Sequence, residues 1–317
     1  MKRILTAVAL SLLATPALAD YPERPITLIV PWSAGGGTDA VGRMIAEGLS
    51  QELGQPVNVV NRTGAGGIVG HQAMIDAEPD GYTIGLATAE ITTYAAIGSS
   101  SIAATDLTPI ALVNFDASAF NVNAKSEWET AADALAAIGE NPGTYTASGF
   151  PVGAAYHLAF AGFLQANGID PLAITVVPSQ GAAPGFQELA AGGVDIVPSS
   201  LPEAQAMRDA GIVRTLAVLT PERLDAYPDV PTAEEATGVP AVGGTWRGIV
   251  GPAGLSDDIV ATLQAAVQTT YDSDAFQTFM ANRGFGVRYL PADEFGTFMT
   301  DATETNAQVI SALGLQQ

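Results

Sequence analysis

Apolar residues run from Ile26 to Val30 with Thr27 as the one polar interruption, and they do not alternate with polar positions. A run of this kind suits a strand buried on both faces, as in a sheet covered by helices. It enters Pro31-Trp32-Ser33-Ala34-Gly35-Gly36-Gly37, after which Val41, Met44, Ile45 and Leu49 recur at helical spacing. The unit reads strand, glycine-rich loop, helix. The same logic predicts strands over 57–60, 82–87, 108–113 and 120–123, and a helix over 69–77 that Glu78-Pro79-Asp80-Gly81 breaks.

The pattern then restarts. A helix over 131–138 and a strand over 144–147 lead into a second glycine loop, Ser148-Gly149-Phe150-Pro151-Val152-Gly153. The helix beyond it carries Ala155, Leu158, Ala159 and Phe163 on one side. A strand over 174–177, a helix with Pro184 in its first turn and Gly192-Gly193 at its end, a strand over 194–197, a helix over 203–210 and a strand over 213–219 follow. A return strand over 248–250 and helices over 257–270 and 292–313 finish the chain. One device in each half predicts an α/β protein of two lobes, with the chain crossing near 121–123 and 244–246.

The N-terminus follows a different rule. Lys2-Arg3 precedes a short apolar run over 4–13, and Ala17-Leu18-Ala19 stands before Asp20. Residues 1–19 are expected to be a signal peptide cut after Ala19, which predicts a periplasmic protein. Lobe 1 is then expected over 20–122 and 247–317, and lobe 2 over 123–246. Twelve Lys and Arg stand against 33 Asp and Glu, a net charge of −21. That argues against nucleic acid and anionic membrane surfaces as partners. With no cysteine in the sequence, disulfides, thiolate nucleophiles and Cys-ligated metals are excluded.

Glycine lets backbone approach a ligand closely, and a helix N-terminus offers unpaired N–H groups, so each loop reads as an anion cradle or as a tight turn. Gly35, Gly37 and Ala40 also satisfy a dinucleotide pattern, but Pro31-Trp32-Ser33 separates the strand from the glycines and Asp39 sits where a pyrophosphate would lie. Asp39 either orients the first loop or caps the helix. His157 is either a packed core histidine or a ligand contact, and Trp246 either covers the ligand or anchors a hinge. The two histidines form no hydrolase motif with a nucleophile. No metal or cofactor is expected.

In order, the chain carries Tyr21-Pro22-x-x-Pro25-Ile26, Val30-Pro31-x-x-Ala34-Gly35-Gly36-x-x-Asp39, Val60-Asn61-Arg62-x-Gly64-Ala65-Gly66-Gly67, Pro79-Asp80-Gly81-Tyr82-Thr83, Gly181-x-Ala183-Pro184, Gly193-Val194-Asp195 and Pro228-Asp229-Val230-Pro231-Thr232. Together these resemble the periplasmic solute-binding proteins of tripartite tricarboxylate transporters, the Bug or TctC-like family. The resemblance implies a two-lobed periplasmic binding protein fold, each lobe a mainly parallel sheet flanked by helices, closing on a small carboxylate. It implies no enzyme activity, a monomer, and delivery to integral membrane transporter subunits. A secreted sensing domain for a receptor kinase, or a hydrolase, are the alternatives.

Carried onto this chain, the ligand residues are Pro31, Ser33, Ala34, Gly35, Gly36 and Asp39 from the first loop and Thr88 after its neighbouring strand. Ser148, Gly149, Gly153 and His157 come from the second loop, and Gln180, Gly181, Asp195 and Trp246 from the remaining walls. Glu90 brings an acid to the end of a strand whose loop faces the cleft. No arginine lies inside either glycine loop, so backbone N–H groups are expected to meet the anion. A branched side chain at Gly36 or Gly149 is expected to block it, and Arg62 and Arg247 to contribute little.

Overall fold

The computed structural model describes residues 21–312 and 314–316. The expected signal peptide lies outside the described residues. The strands are β1 (Ile26–Val30), β2 (Val57–Asn61), β3 (Thr83–Thr88), β4 (Leu107–Ala117), β5 (Ala119–Asn123), β6 (Tyr145–Ala147), β7 (Ile174–Val176), β8 (Ile196–Val197), β9 (Val213–Val218), β10 (Gly244–Pro252) and β11 (Val287–Pro291). The helices are α1 (Gly37–Leu53), α2 (Ile68–Ile75), α3 (Tyr94–Ile97), α4 (Ala131–Glu140), α5 (Ala155–Ala166), α6 (Ala182–Ala191), α7 (Leu201–Asp209), α8 (Ala233–Thr237), α9 (Asp257–Asp272), α10 (Asp274–Arg283) and α11 (Ala292–Ala312).

Two sheets define two lobes. The first has the order β11-β4-β10-β3-β1-β2 and the second β7-β6-β8-β5-β9. Both are mixed rather than mainly parallel. β1 pairs parallel with β2 and β3, and β6 with β7 and β8, because helices carry the chain back between them. β10 runs antiparallel to β3 and β4, and β5 antiparallel to β8 and β9, because β5 and β10 are the strands by which the chain enters each sheet from the other lobe, β5 directly from β4 and β10 from β9 by way of α8.

The crossings lie at Ser118, between β4 and β5, and at Gly243, just before β10. Ser118 N–H donates to the Gly243 carbonyl at 2.8 Å, so the two crossing segments are tied side by side. The sequence places them slightly differently. Asn121 lies inside β5, its amide donating to the carbonyls of Val197 and Ser199, and Trp246 lies inside β10 of the first sheet.

The unbroken apolar run of β1 is explained by burial on both faces. Ile26, Leu28 and Val30 pack with Val41, Ile45 and Leu49 of α1, while Ile29 packs with Met74, Ala87 and Leu112 on the other side. Each such side chain contributes about 1.5–3 kcal/mol of transfer free energy. Gly54, left-handed at φ 65°, ends α1. The second lobe has its own core around Phe120, Val122, Ile138, Phe160, Phe163 and Ile196.

Four elements escape the hydrophobic pattern: α3, α8, α10 and β11. α10 buries only Phe276 and Met280, and β11 is an edge strand that ends on Pro291, so neither presents a full apolar face. Among the described residues, no helix is long and apolar enough to cross a membrane.

Candidate ligand-binding cleft

The space between the lobes is walled by the starts of three helices. Gly36, Gly37 and Thr38 open α1; Ala154 and Tyr156 lie at the start of α5; Gly181, Ala182 and Ala183 open α6, and all of them line one cavity. The N-caps of these helices are Gly36, Ala154 and Gly181, and none provides a side-chain cap. By contrast α4, α8, α9 and α10 are capped by the hydroxyls of Thr130, Thr232, Ser256 and Ser273. The helices around the cleft therefore begin with residues that leave first-turn N–H groups for a ligand, and their dipoles favour an anion there.

The lobes touch across this space. Pro151 of the second lobe lies where a Cβ on Gly66 of the first would be 3.0 Å away, and Ile97 packs against Gly153. The Tyr227 hydroxyl donates to the Arg283 carbonyl at 3.3 Å. The floor is polar and charged. Arg247 of β10 is buried, with Nε donating to Thr38 Oγ1 at 2.9 Å and Nη1 paired with Asn114 and Asp116. Its Nη2 lies 3.6 Å from Glu203 Oε1 on the opposite lobe. Burial alone would depress the Arg247 pKa, but the facing carboxylates of Asp116 and Glu203 outweigh it and keep the guanidinium charged.

Glu203 Oε2 accepts from the hydroxyls of Tyr156, Ser199 and Ser200. Glu90, also buried, accepts from Thr88 Oγ1, which in turn accepts from Trp32 Nε1 at 3.1 Å. Burial pushes the Glu90 carboxyl above its ordinary range, against the hydrogen bond from Thr88 and the charge of Arg247.

Of the residues expected to hold ligand, Ser33, Gly36, Thr88, Gly149, Gln180 and Gly181 line the cavity. Pro31, Ala34, Gly35, Asp39, Ser148, Gly153, His157, Asp195 and Trp246 do not. Several of these support the site from behind. Asp39 accepts from Gly35 N–H at 2.9 Å, from Asn61 Nδ2 at 2.9 Å and from Arg43, so it orients the first loop and does not cap α1. Burial works to raise its pKa, and the Arg43, Gly35 and Asn61 hydrogen bonds carry it below the usual range.

His157 Nδ1 accepts from Gly153 N–H at 2.7 Å, and its ring stacks on Phe150 with centroids 5.3 Å apart. Desolvation lowers its pKa to about 4, so it is neutral near pH 7. His71 is buried, bonded to Tyr94 and to Thr88 N–H, and also lowered to about 4 by burial. Asp195 accepts from Thr146, remote from the cleft, and Trp246 packs on Phe295 and Phe298 of α11.

Sequence reasoning missed Gly37, Tyr156, Glu203 and the cleft position of Arg247. Tyr156 and Glu203 sit on helices without any local motif, and Arg247 lies in a strand from the far end of the chain. A charged residue directly before the apolar return strand predicted over 248–250 was the one available signal. Among the described residues, no group of three or more His, Asp or Glu is placed to hold a metal.

This architecture can be set beside known proteins. A family model described as tripartite tricarboxylate transporter family receptor matches residues 41–315. The chain belongs to that receptor family. The receptor is 32% identical to a UPF0065 protein of Bordetella pertussis strain Tohama I, covering 100% of this chain and 98% of that protein. Its fold matches an R. palustris protein, Rpa4515 with adipate, at TM-score 0.87 and 27% identity, over 93% of this chain and 99% of that one. A TctC solute-binding protein from Polaromonas, solved with no ligand, matches at TM-score 0.68 and 32% identity, over 92% of this chain and 99% of that one. The receptor thus superposes better on the adipate-bound relative than on the ligand-free one, although the latter is nearer in sequence.

Proposed function

We propose that this receptor captures a small carboxylate between its two lobes in the periplasm and hands it to the membrane subunits of a tripartite transporter. The observation that carries the reading is the convergence of three helix starts without side-chain caps, those of α1, α5 and α6, on one interlobe cavity. One ligand carboxylate accepts from these N–H groups, each charge-assisted hydrogen bond contributing about 1.5–3 kcal/mol. The adipate held by the Rpa4515 relative supports the ligand class.

In this reading the protein is a monomeric receptor and not an enzyme. Both imidazoles lie outside the cleft lining and are engaged with backbone or tyrosine, so neither is positioned as a general base for a bound molecule. Residues 1–19 direct export, and the lobes, 20–122 with 247–317 and 123–246, move about the paired crossings at Ser118 and Gly243. The test is mass spectrometry of ligand released from protein freshly purified from the periplasm. A small carboxylic acid at near one equivalent is expected, with a mature chain beginning at Asp20. Release of only a molecule without a carboxylate would overturn the assignment.

A further inference from the structure

We propose that the cleft selects a short monocarboxylate that also bears a hydrogen-bond donor, a hydroxyl or an ammonium group, over a dicarboxylate. This rests on the carboxylate-receptor reading and adds what the rest of the ligand must be. Once the helix starts have taken one carboxylate, the charged groups left facing the cavity are Glu90, Glu203 and Arg247. Arg247 offers a second anion only Nη2: Nε is used by Thr38, Nη1 by Asn114 and Asp116, and its charge is matched by the buried Asp116.

Glu203 is the reverse case. Three hydroxyls converge on Oε2, while Oε1 has no hydrogen bond among the described residues, on a side chain only 9% exposed. Its nearest cation is Arg247 Nη2 at 3.6 Å, itself without a hydrogen bond among the described residues. Both atoms lie against Gly37 at the start of α1, where a Cβ would meet Oε1 at 2.8 Å and Nη2 at 3.0 Å, and all three residues line the cavity. A ligand hydroxyl at this edge of the cavity donates to Glu203 Oε1 and accepts from Arg247 Nη2. An ammonium group donates to Glu203 and to Glu90, whose Oε1 receives only a long contact, 3.4 Å, from Ala155 N–H. A second carboxylate accepts from Arg247 Nη2 but supplies no donor to Glu203 Oε1 and meets Glu203 and Glu90 as like charges, so the two glutamates count against it.

The test is calorimetry on ligand-free protein with butyrate, hexanoate, succinate, adipate, and the hydroxy and amino derivatives of the two monocarboxylates. The expected result is one substituted acid binding about tenfold or more tightly than the unsubstituted acid and the dicarboxylate of the same length. In Glu203→Gln, or in Glu90→Gln if the donor is an amino group, that gap should narrow severalfold. A hydroxy acid at the top identifies the Glu203–Arg247 bridge, and an amino acid the two glutamates. Succinate or adipate ranking first in the unmodified protein would overturn the inference without touching the carboxylate reading, as would a gap unchanged in both variants. No binding by any acid of the panel would defeat the carboxylate reading and this inference together.

Discussion

In the β1–α1 loop the backbone is held by an ionised cluster: Asp39 gathers Gly35 N–H, Asn61 and Arg43 around one carboxylate. In the β6–α5 loop the corresponding brace is a neutral imidazole, His157, which accepts from Gly153 N–H and stacks on Phe150. Both residues sit in the first turn of the helix that follows, and both point back into the loop instead of toward the cavity. The difference teaches that the two loops present main chain to the cavity and are shaped by side chains behind them, while the side chains that line the cavity, Glu90, Tyr156, Glu203 and Arg247 among them, come from other elements or later in the helix. It also gives the lobes different responses to acid and to substitution.

The largest effect is expected where a loop meets the opposite lobe. Gly37→Val would drive a branched side chain into Glu203 Oε1 and Arg247 Nη2. Gly37 is not at positive φ, so the backbone can accept valine. Affinity for carboxylate ligand should fall by about 100-fold or more with the thermal transition nearly unchanged. Gly36→Val should be milder, since a Cβ there meets only the Ser33 carbonyl at 3.5 Å. Gly149→Val should unfold the second loop, because Gly149 has φ +95° and a Cβ would lie 2.7 Å from Val197. Equal binding by wild type and Gly37→Val would mean the first loop does not form the contact wall.

Next in size is loss of the charged brace. Asp39→Ala strands Gly35 N–H and Asn61 Nδ2 and leaves Arg43 only its bond to Asn61 Oδ1, so stability should drop by about 1–3 kcal/mol in denaturant titration. Arg43→Ala removes two hydrogen bonds from the buried Asp39 carboxylate but leaves those from Gly35 N–H and Asn61, and should cost less, about 1 kcal/mol. If the two variants were equally damaging, the ion pair and not the loop contact would be the working part. Because the Asp39 pKa is depressed on folding, its contribution is complete above the ordinary carboxylate range and is lost as pH falls through the folded value.

The neutral brace should show itself mainly through pH. His157 and His71 ordinarily titrate near 6.5, and the folded protein lowers both to about 4. Between those values the unfolded chain binds protons that the native one does not, so stability declines as pH falls through this window. Each histidine contributes a slope of up to about 1.4 kcal/mol per pH unit. His157→Asn keeps an acceptor for Gly153 N–H but does not titrate. It should lose about 1 kcal/mol at neutral pH, from the lost stack, and a clear part of the acid sensitivity. An unchanged stability profile between pH 6.5 and 4 would mean that His157 is protonated as readily folded as unfolded.

The order of strands and helices was legible along much of the chain because burial imposes a period on the sequence. β1 lies between helices on both faces and shows it by an unbroken apolar run; α1 shows its inward stripe at Val41, Ile45 and Leu49. The glycine loops were legible too, since close approach and left-handed backbone leave glycines at fixed places. Those are local constraints, met within one strand–loop–helix unit. What only the tertiary structure decided is which side chains look into the cleft. Asp39 and His157 stand beside the loops in sequence and turn away. Arg247, Glu203 and Tyr156 come from three separate elements and meet because β10 returns antiparallel between β3 and β4, while α5 and α7 approach from the other lobe. No periodicity encodes that meeting. A charged residue tolerates burial only where partners arrive from elsewhere in the chain, and those partners are assigned by the packing of the two lobes, not by any stretch of sequence.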